Sequence, residues 1–300
     1  MKYNLLFFTL LWSFCGVNVH AQQDPDHAVQ LSSELLQSQR RLIFTANNRD
    51  YCDYYVYITF INAQGFDEMG RGALVVVSPG QNQIISYRMQ ENASGYSYNY
   101  QYVMYRGNFN KKADVDYIYS LPTLKNQTVT ANVRENQLGY QLEFQLPSDT
   151  VYATRSGVVC DDNLKDQTAR GHRSFNGNHR MQQITVYHDD ASFGEYIFEG
   201  RSLVRPGQVV KMGESIAVIQ QEMNTNSLRF SVYFLDRNKV NSRETGNKHT
   251  HFRPFFQTSD AGKVRLEHGK TYISELNDEM LMQGMNSRQR RAFLQNRAEQ

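Results

Sequence analysis

Between Ser148 and Leu235 short apolar runs follow one another at intervals too brief for helices, with turn signals between them. Val151, Val158 and Val159 are apolar and β-branched. Ile184, Val186 and Tyr187 form the next run, and Tyr196, Ile197 and Phe198 another. Arg205-Pro206-Gly207-Gln208 reads as a turn, since Pro presets φ and Gly accepts positive φ. Val209-Val210 and then Ile216, Val218 and Ile219 follow it. Phe230, Val232 and Phe234 alternate with Arg229, Ser231 and Tyr233, the pattern of a strand with one buried face. This stretch reads as a small all-β unit of tight hairpins. Nineteen Tyr and seventeen Phe against one Trp favour strands over the rest of the chain as well.

The order of the phrases is more specific than the strands. DTVYATRSGVV is similar to "GTPVYAxxxGxV", ITVYHDDASFGEYIFEG to "V-x-I-x-H-D-x-G-x-x-x-x-Y-x-H-L", VRPGQVVKMGESIAV to "V-x-x-G-x-x-V-x-x-G-x-x-I-G", and SLRFSVYF to "HLHFEV". In that order they resemble the M23, or LytM, zinc metallopeptidases that cut peptidoglycan cross-bridges. The resemblance covers less than a third of the chain. It implies an M23-like β-barrel/sandwich hybrid domain.

It does not carry the chemistry over. The family's zinc ligands are a His and an Asp of H-x-x-x-D and the second His of H-x-H. These positions fall on Gly139, Glu143 and Arg229. The first His of H-x-H falls on Ser227 and the His after the Tyr on Phe198. Only Glu143 retains a donor, and Arg is a permanent cation. Lys125 to Asp149 contains no His. The expectation is a degenerate site without zinc. Glu143 and Arg229 should face each other there as a carboxylate–guanidinium pair, with Tyr196 beside them in the groove.

The N-terminus reads as a secretory signal over residues 1–21, with Lys2, an apolar run from Leu5 to Phe14, and Val19-His20-Ala21 as the cleavage site. That run is too short to span a membrane, and no second one exists. Expected is an exported, periplasmic or secreted protein with no transmembrane segment. A formal charge of +2 argues against nucleic-acid binding by bulk charge. Export leaves Cys52 and Cys160. They read equally as a disulfide between predicted domains or as two separate thiols.

Residues 22–39 read as a polar segment with a short helix around Ala28–Ser38. Residues 40–122 read as a seven-strand-like β-sandwich, 123–240 as the M23-like domain, 241–274 as a β appendage and 275–300 as a helical tail. The fold class is therefore all-β with short C-terminal helices. Tyr96, Tyr98, Tyr100 and Tyr102 share one face, which reads as core or, less simply, as a platform for sugars. The polar insertion 161–183 carries His172 and His179, candidates for the groove wall or for relocated metal ligands. His249-Thr250-His251 spells H-x-H and is the alternative metal pair. Arg288, Arg290, Arg291 and Arg297 around Phe293 and Leu294 suggest peripheral contact with an anionic surface. Two functions follow from the resemblance. One is a non-catalytic, cofactor-free protein that binds peptidoglycan or regulates a cell-wall hydrolase. The other is an active zinc endopeptidase with relocated ligands.

Overall fold

The computed structural model describes residues 27–136, 139–163, 181–220, 226–241 and 247–298. The expected signal peptide, His172 and His179 lie outside them.

The chain is all-β. Its first lobe is a sandwich of two three-stranded sheets. Strands β1 (Val29–Leu36), β2 (Arg41–Asn48), β3 (Tyr54–Gln64), β4 (Gly72–Val77), β5 (Gly80–Arg88) and β6 (Ser97–Arg106) pair in the orders β1-β2-β5 and β4-β3-β6. It thus has six strands rather than seven. The segment expected to be helical is β1, paired along its length with β2. Ala28, Leu31 and Leu35 have helical spacing, but Val29 and Leu31 are buried by the sandwich, and burial outweighs local propensity. Leu42, Phe44, Val56, Ile58 and Phe60 fill the space between the sheets. Phe44 meets the rings of Tyr98 and Tyr100 edge-on at 6.1 and 5.1 Å. Tyr98, Tyr100 and Tyr102 thus pack against the core, while Tyr96, just before β6, is 38% exposed.

The second lobe begins with β7 (Ile118–Tyr119), β8 (Thr128–Asn136), β9 (Gly139–Gln145), β10 (Thr150–Tyr152), β11 (Gly157–Val159), β12 (Met181–Tyr187) and β13 (Ser192–Ser202). It continues through β14 (Val209–Val210), β15 (Ser215–Ile219), β16 (Ser227–Leu235), helix α1 (Arg237–Asn241) and β17 (His249–His251). β18 (Phe255–Thr258), β19 (Gly262–Val264), β20 (Lys270–Ile273), α2 (Asp278–Leu281) and α3 (Ser287–Ala298) complete it. Its main sheet runs β14-β11-β12-β13-β16-β9-β8-β20, with β17 also on β16 and the β10–β15 pair joined through β13. The Arg205–Gln208 turn forms as expected: the Gln208 N–H donates to Arg205 O at 3.1 Å, and Gly207 has a φ of 83°.

The region expected to be an appendage is woven into this sheet, since β17 and β20 both join it. β18 and β19 instead form a small sheet with β7. The core behind the main sheet gathers Phe144, Tyr196, Phe230, Val232 and Phe256. β16 was expected to bury one face and buries both: Ser231 and Tyr233 are as hidden as Phe230 and Val232. The first lobe covers its second face, and Phe193, Tyr233 and Cys160 belong to the first lobe's core cluster. The tail helix α3 buries no residue. Its cap is Asn286: Asn286 Oδ1 accepts from Gln289 N, and Gln289 Oε1 accepts from Asn286 N.

Phe230 is central to the second core, so Phe230→Ala should lower unfolding free energy by about 3–5 kcal/mol in urea denaturation. Ile61→Ala, at a side chain 60% exposed, should change it by less than about 0.5 kcal/mol.

Candidate functional site

Alternation along β9 sends Tyr140, Leu142 and Phe144 into the core and leaves Gln141, Glu143 and Gln145 on the opposite face. On β16, Leu228 and Phe230 point to the core and Ser227 and Arg229 away from it. The β9–β16 register sets Arg229 opposite Glu143 and Ser227 opposite Gln145. The sequence-derived residues Glu143, Ser227 and Arg229 are thus brought together. The Ser227 hydroxyl donates to Glu143 Oε1 at 3.1 Å. The other carboxylate oxygen holds an ion pair with Arg134 of β8. Arg134 was not foreseen, because its approach depends on the β8–β9 hairpin register, which pairs Asn132 with Glu143 and leaves Arg134 diagonal to it.

Other expected members stand elsewhere. Phe198 pairs with Leu228 and Tyr196 with Phe230, so both point into the core while Ile197 lies beside Arg229. A one-residue offset in a strand exchanges faces, and this offset removes Phe198 and Tyr196 from the site. Tyr196 is fully buried, and its phenol oxygen accepts from Thr154 N at 2.9 Å and meets Thr154 Oγ1 at 2.8 Å. Gly139 shares a face with Glu143 but lies four residues away, roughly 13 Å along an extended strand. The two cannot serve one ion. A Cβ on Gly139 would lie 2.6 Å from the Cβ of His251, and its φ of 121° also suits Gly.

His249 and His251 are packing residues at the seam between the lobes. His249 is 7% exposed. Its Nε2 lies 2.8 Å from Arg106 O, and its ring packs 5.0 Å from Tyr233. His251 packs on the same Tyr at 5.1 Å. Among the described residues, the one cluster of three metal-ligating atoms is Asp50, Cys52 and Cys160, and neither His belongs to it. Zinc does not fit at Glu143 either. Its neighbours there are a hydroxyl and guanidinium groups, and cations repel a metal ion.

From Ser227 the row Gln145, Thr130 and Thr271 continues across β9, β8 and β20 in successive register. It ends at an open cavity of about 510 Å³ whose lining includes Phe255, Lys263, Arg265, Lys270, Asp260 and Glu267. Lys263 and Arg265 sit 4.4 and 4.3 Å from the Phe255 ring centre, so one aromatic ring carries two cations.

A second polar centre escaped sequence reading. Arg155 is 2% exposed and donates to Asp189 Oδ1 at 2.8 Å, Asp190 Oδ2 at 3.0 Å and Tyr119 Oη at 3.3 Å. Its guanidinium lies 3.7 Å from the Tyr117 ring centre. Burial pushes the Tyr117 phenol up to about 12. His188 is buried beside this network, with Nδ1 2.8 Å from Ser156 O and no hydrogen-bond partner for Nε2 among the described residues. Burial, and then the charge of Arg155, lower its pKa to about 3. The signal for this centre was the His-Asp-Asp after β12, but its buried cation comes from the loop between β10 and β11.

The unfolded chain would bind a proton at His188 near pH 6.5, so between about 6.5 and 3 it holds one proton more than the folded chain. Stability should therefore fall with falling pH, by about 1.4 kcal/mol per pH unit from this group. Denaturation of His188→Gln between about pH 6 and pH 4 should show a slope shallower by that amount. An unchanged slope would mean that the imidazole protonates in the folded protein.

No family model matches the chain, and no curated protein matches it. Among solved structures it is similar to Csd3 of Helicobacter pylori in a hexagonal crystal form, at 9% identity and a TM-score of 0.29, over 90% of this chain and 79% of that one. An overlay at that score carries no inference about activity. Among the described residues no helix is long and apolar enough to cross a membrane.

Proposed function

We propose that this is an exported M23-like protein that binds peptidoglycan peptides without cutting them. The observation that carries this reading is the environment of Glu143. It stands where the resemblance places a zinc ligand, yet its carboxylate is satisfied by the Ser227 hydroxyl and the Arg134 guanidinium, with Arg229 in register beside it. A carboxylate neutralised by guanidinium cannot also be the strong anionic ligand that a metal requires.

The same residues suit recognition. Stem peptides present carboxylates and amides. The sheet face offers the cations Arg134 and Arg229, the hydroxyls Ser227, Thr130 and Thr271, and the amide Gln145 in successive rows. Its far end reaches the cavity where Lys263, Arg265 and Lys270 outnumber Asp260 and Glu267. Binding of a wall hydrolase through this face is the neighbouring possibility within the same reading.

Purified protein should sediment with isolated peptidoglycan sacculi and release no soluble muropeptides. Arg229→Glu should weaken sedimentation by roughly tenfold or more, the scale of one charge-assisted contact. Muropeptide release by the wild-type protein would overturn the reading. So would binding that Arg229→Glu leaves unchanged.

A further inference from the structure

We infer that Cys52 and Cys160 form a disulfide that staples the two lobes across their buried seam. Cys52 precedes β3 in the first lobe and Cys160 follows β11 in the second. Both are buried, at 0% and 2% exposure. Their sulfurs and a carboxylate oxygen of Asp50 all lie within 4.8 Å of one another. Both thiols are free in this structure, and their sulfurs are close enough neighbours for the bridge to be tested directly.

The two backbone segments are already held together. Asp161 N donates to Asp50 Oδ1 at 2.7 Å. Arg106 lies 2.9 Å from Asp50 Oδ2 and 2.7 Å from Asp162 Oδ1, and it donates to Asp161 O at 2.9 Å. Asp50, two residues before Cys52, is thus bonded to Asp161, next to Cys160, and Arg106 bridges Asp50 to Asp161 and Asp162. The same atoms could be read as a metal site. The guanidinium of Arg106 on Asp50 opposes that, because it places a fixed positive charge against the carboxylate a metal would need.

Bond formation needs an oxidant, here a disulfide-bearing thiol oxidase or small-molecule disulfide outside the cytoplasm. One cysteine thiolate attacks a sulfur of the oxidant, giving a mixed disulfide and releasing one oxidant thiol. The second thiolate then attacks the cysteine sulfur of the mixed disulfide and releases the other. Two electrons and two protons pass to the oxidant. Burial disfavours both thiolates in the docked protein. Exchange therefore belongs to folding, before the seam closes, and the finished bond is shielded from reductants.

The test uses the full chain secreted into an oxidising compartment and alkylated in denaturant without reductant. Peptide mapping should find Cys52 linked to Cys160, the protein lighter by two hydrogen atoms, and neither cysteine alkylated. Dithiothreitol should leave the bond intact in the folded protein and cleave it in denaturant. The loop closed spans about a hundred residues, so the refolded, reduced protein should melt roughly 10 °C lower. Cys52→Ser/Cys160→Ser should match the reduced protein. Full alkylation of both cysteines after oxidising production would overturn the proposal. Thiols protected by a chelatable metal, with no loss of hydrogen mass, would also overturn it. Both readouts are made on wild-type protein, so they stand even where the variant fails to fold.

Discussion

Arg106 carries a full charge at the seam between the lobes while being only 8% exposed. Removing a guanidinium from water costs several kcal/mol unless acceptors surround it. Its acceptors come from both sides: Asp50 and the Tyr54 hydroxyl from the first lobe, and Asp162 and Asp161 O from the second. Separating the lobes would break its bonds to Asp162 and Asp161 O and leave those to Asp50 and Tyr54. The consequences reach along the chain. Residue 106 also offers its carbonyl to His249, whose strand β17 then lies on β16. With the first lobe held there, Phe193 and Tyr233 are buried on the sheet face that would otherwise meet water.

That burial divides the second face of the main sheet into two regions. Toward the seam it is closed, with Ser231 Oγ donating to the hidden carboxylate of Glu195 at 3.2 Å. Away from the seam, Glu143, Ser227, Arg229 and Arg134 remain reachable. Among the described residues of that face, this second region is the more open one. Its side chains are donors and cations grouped around one carboxylate. The buried His188 is a weak base, since burial and then the charge of Arg155 lower its pKa to about 3.

Much of this was written in local pattern. The strands β2 and β3 follow from apolar alternation, the Arg205–Gln208 turn from its Pro-Gly pair, and the meeting of Glu143 with Ser227 and Arg229 from the aligned phrases. What was missed depends on register or on distant partners. Phe198 and Tyr196 were assigned to the groove because motif spacing does not reveal strand parity. β1 was expected to be helical because its burial is supplied by strands that come later in the chain. β17 and β20 looked like an appendage because their partners are β16 and β8, far away in sequence. The clusters around Arg155 and Arg106 are the extreme case, since each is assembled from segments that no local window contains.

Under the proposed function, Glu143 holds guanidinium and hydroxyl partners where the resemblance places a metal ligand. Zinc content by elemental analysis, after the purified protein is dialysed against trace zinc and then zinc-free buffer, tests it most directly. The account predicts far less than one zinc per chain, unchanged in Glu143→Ala. One tightly held zinc per chain, lost in Glu143→Ala, would contradict it.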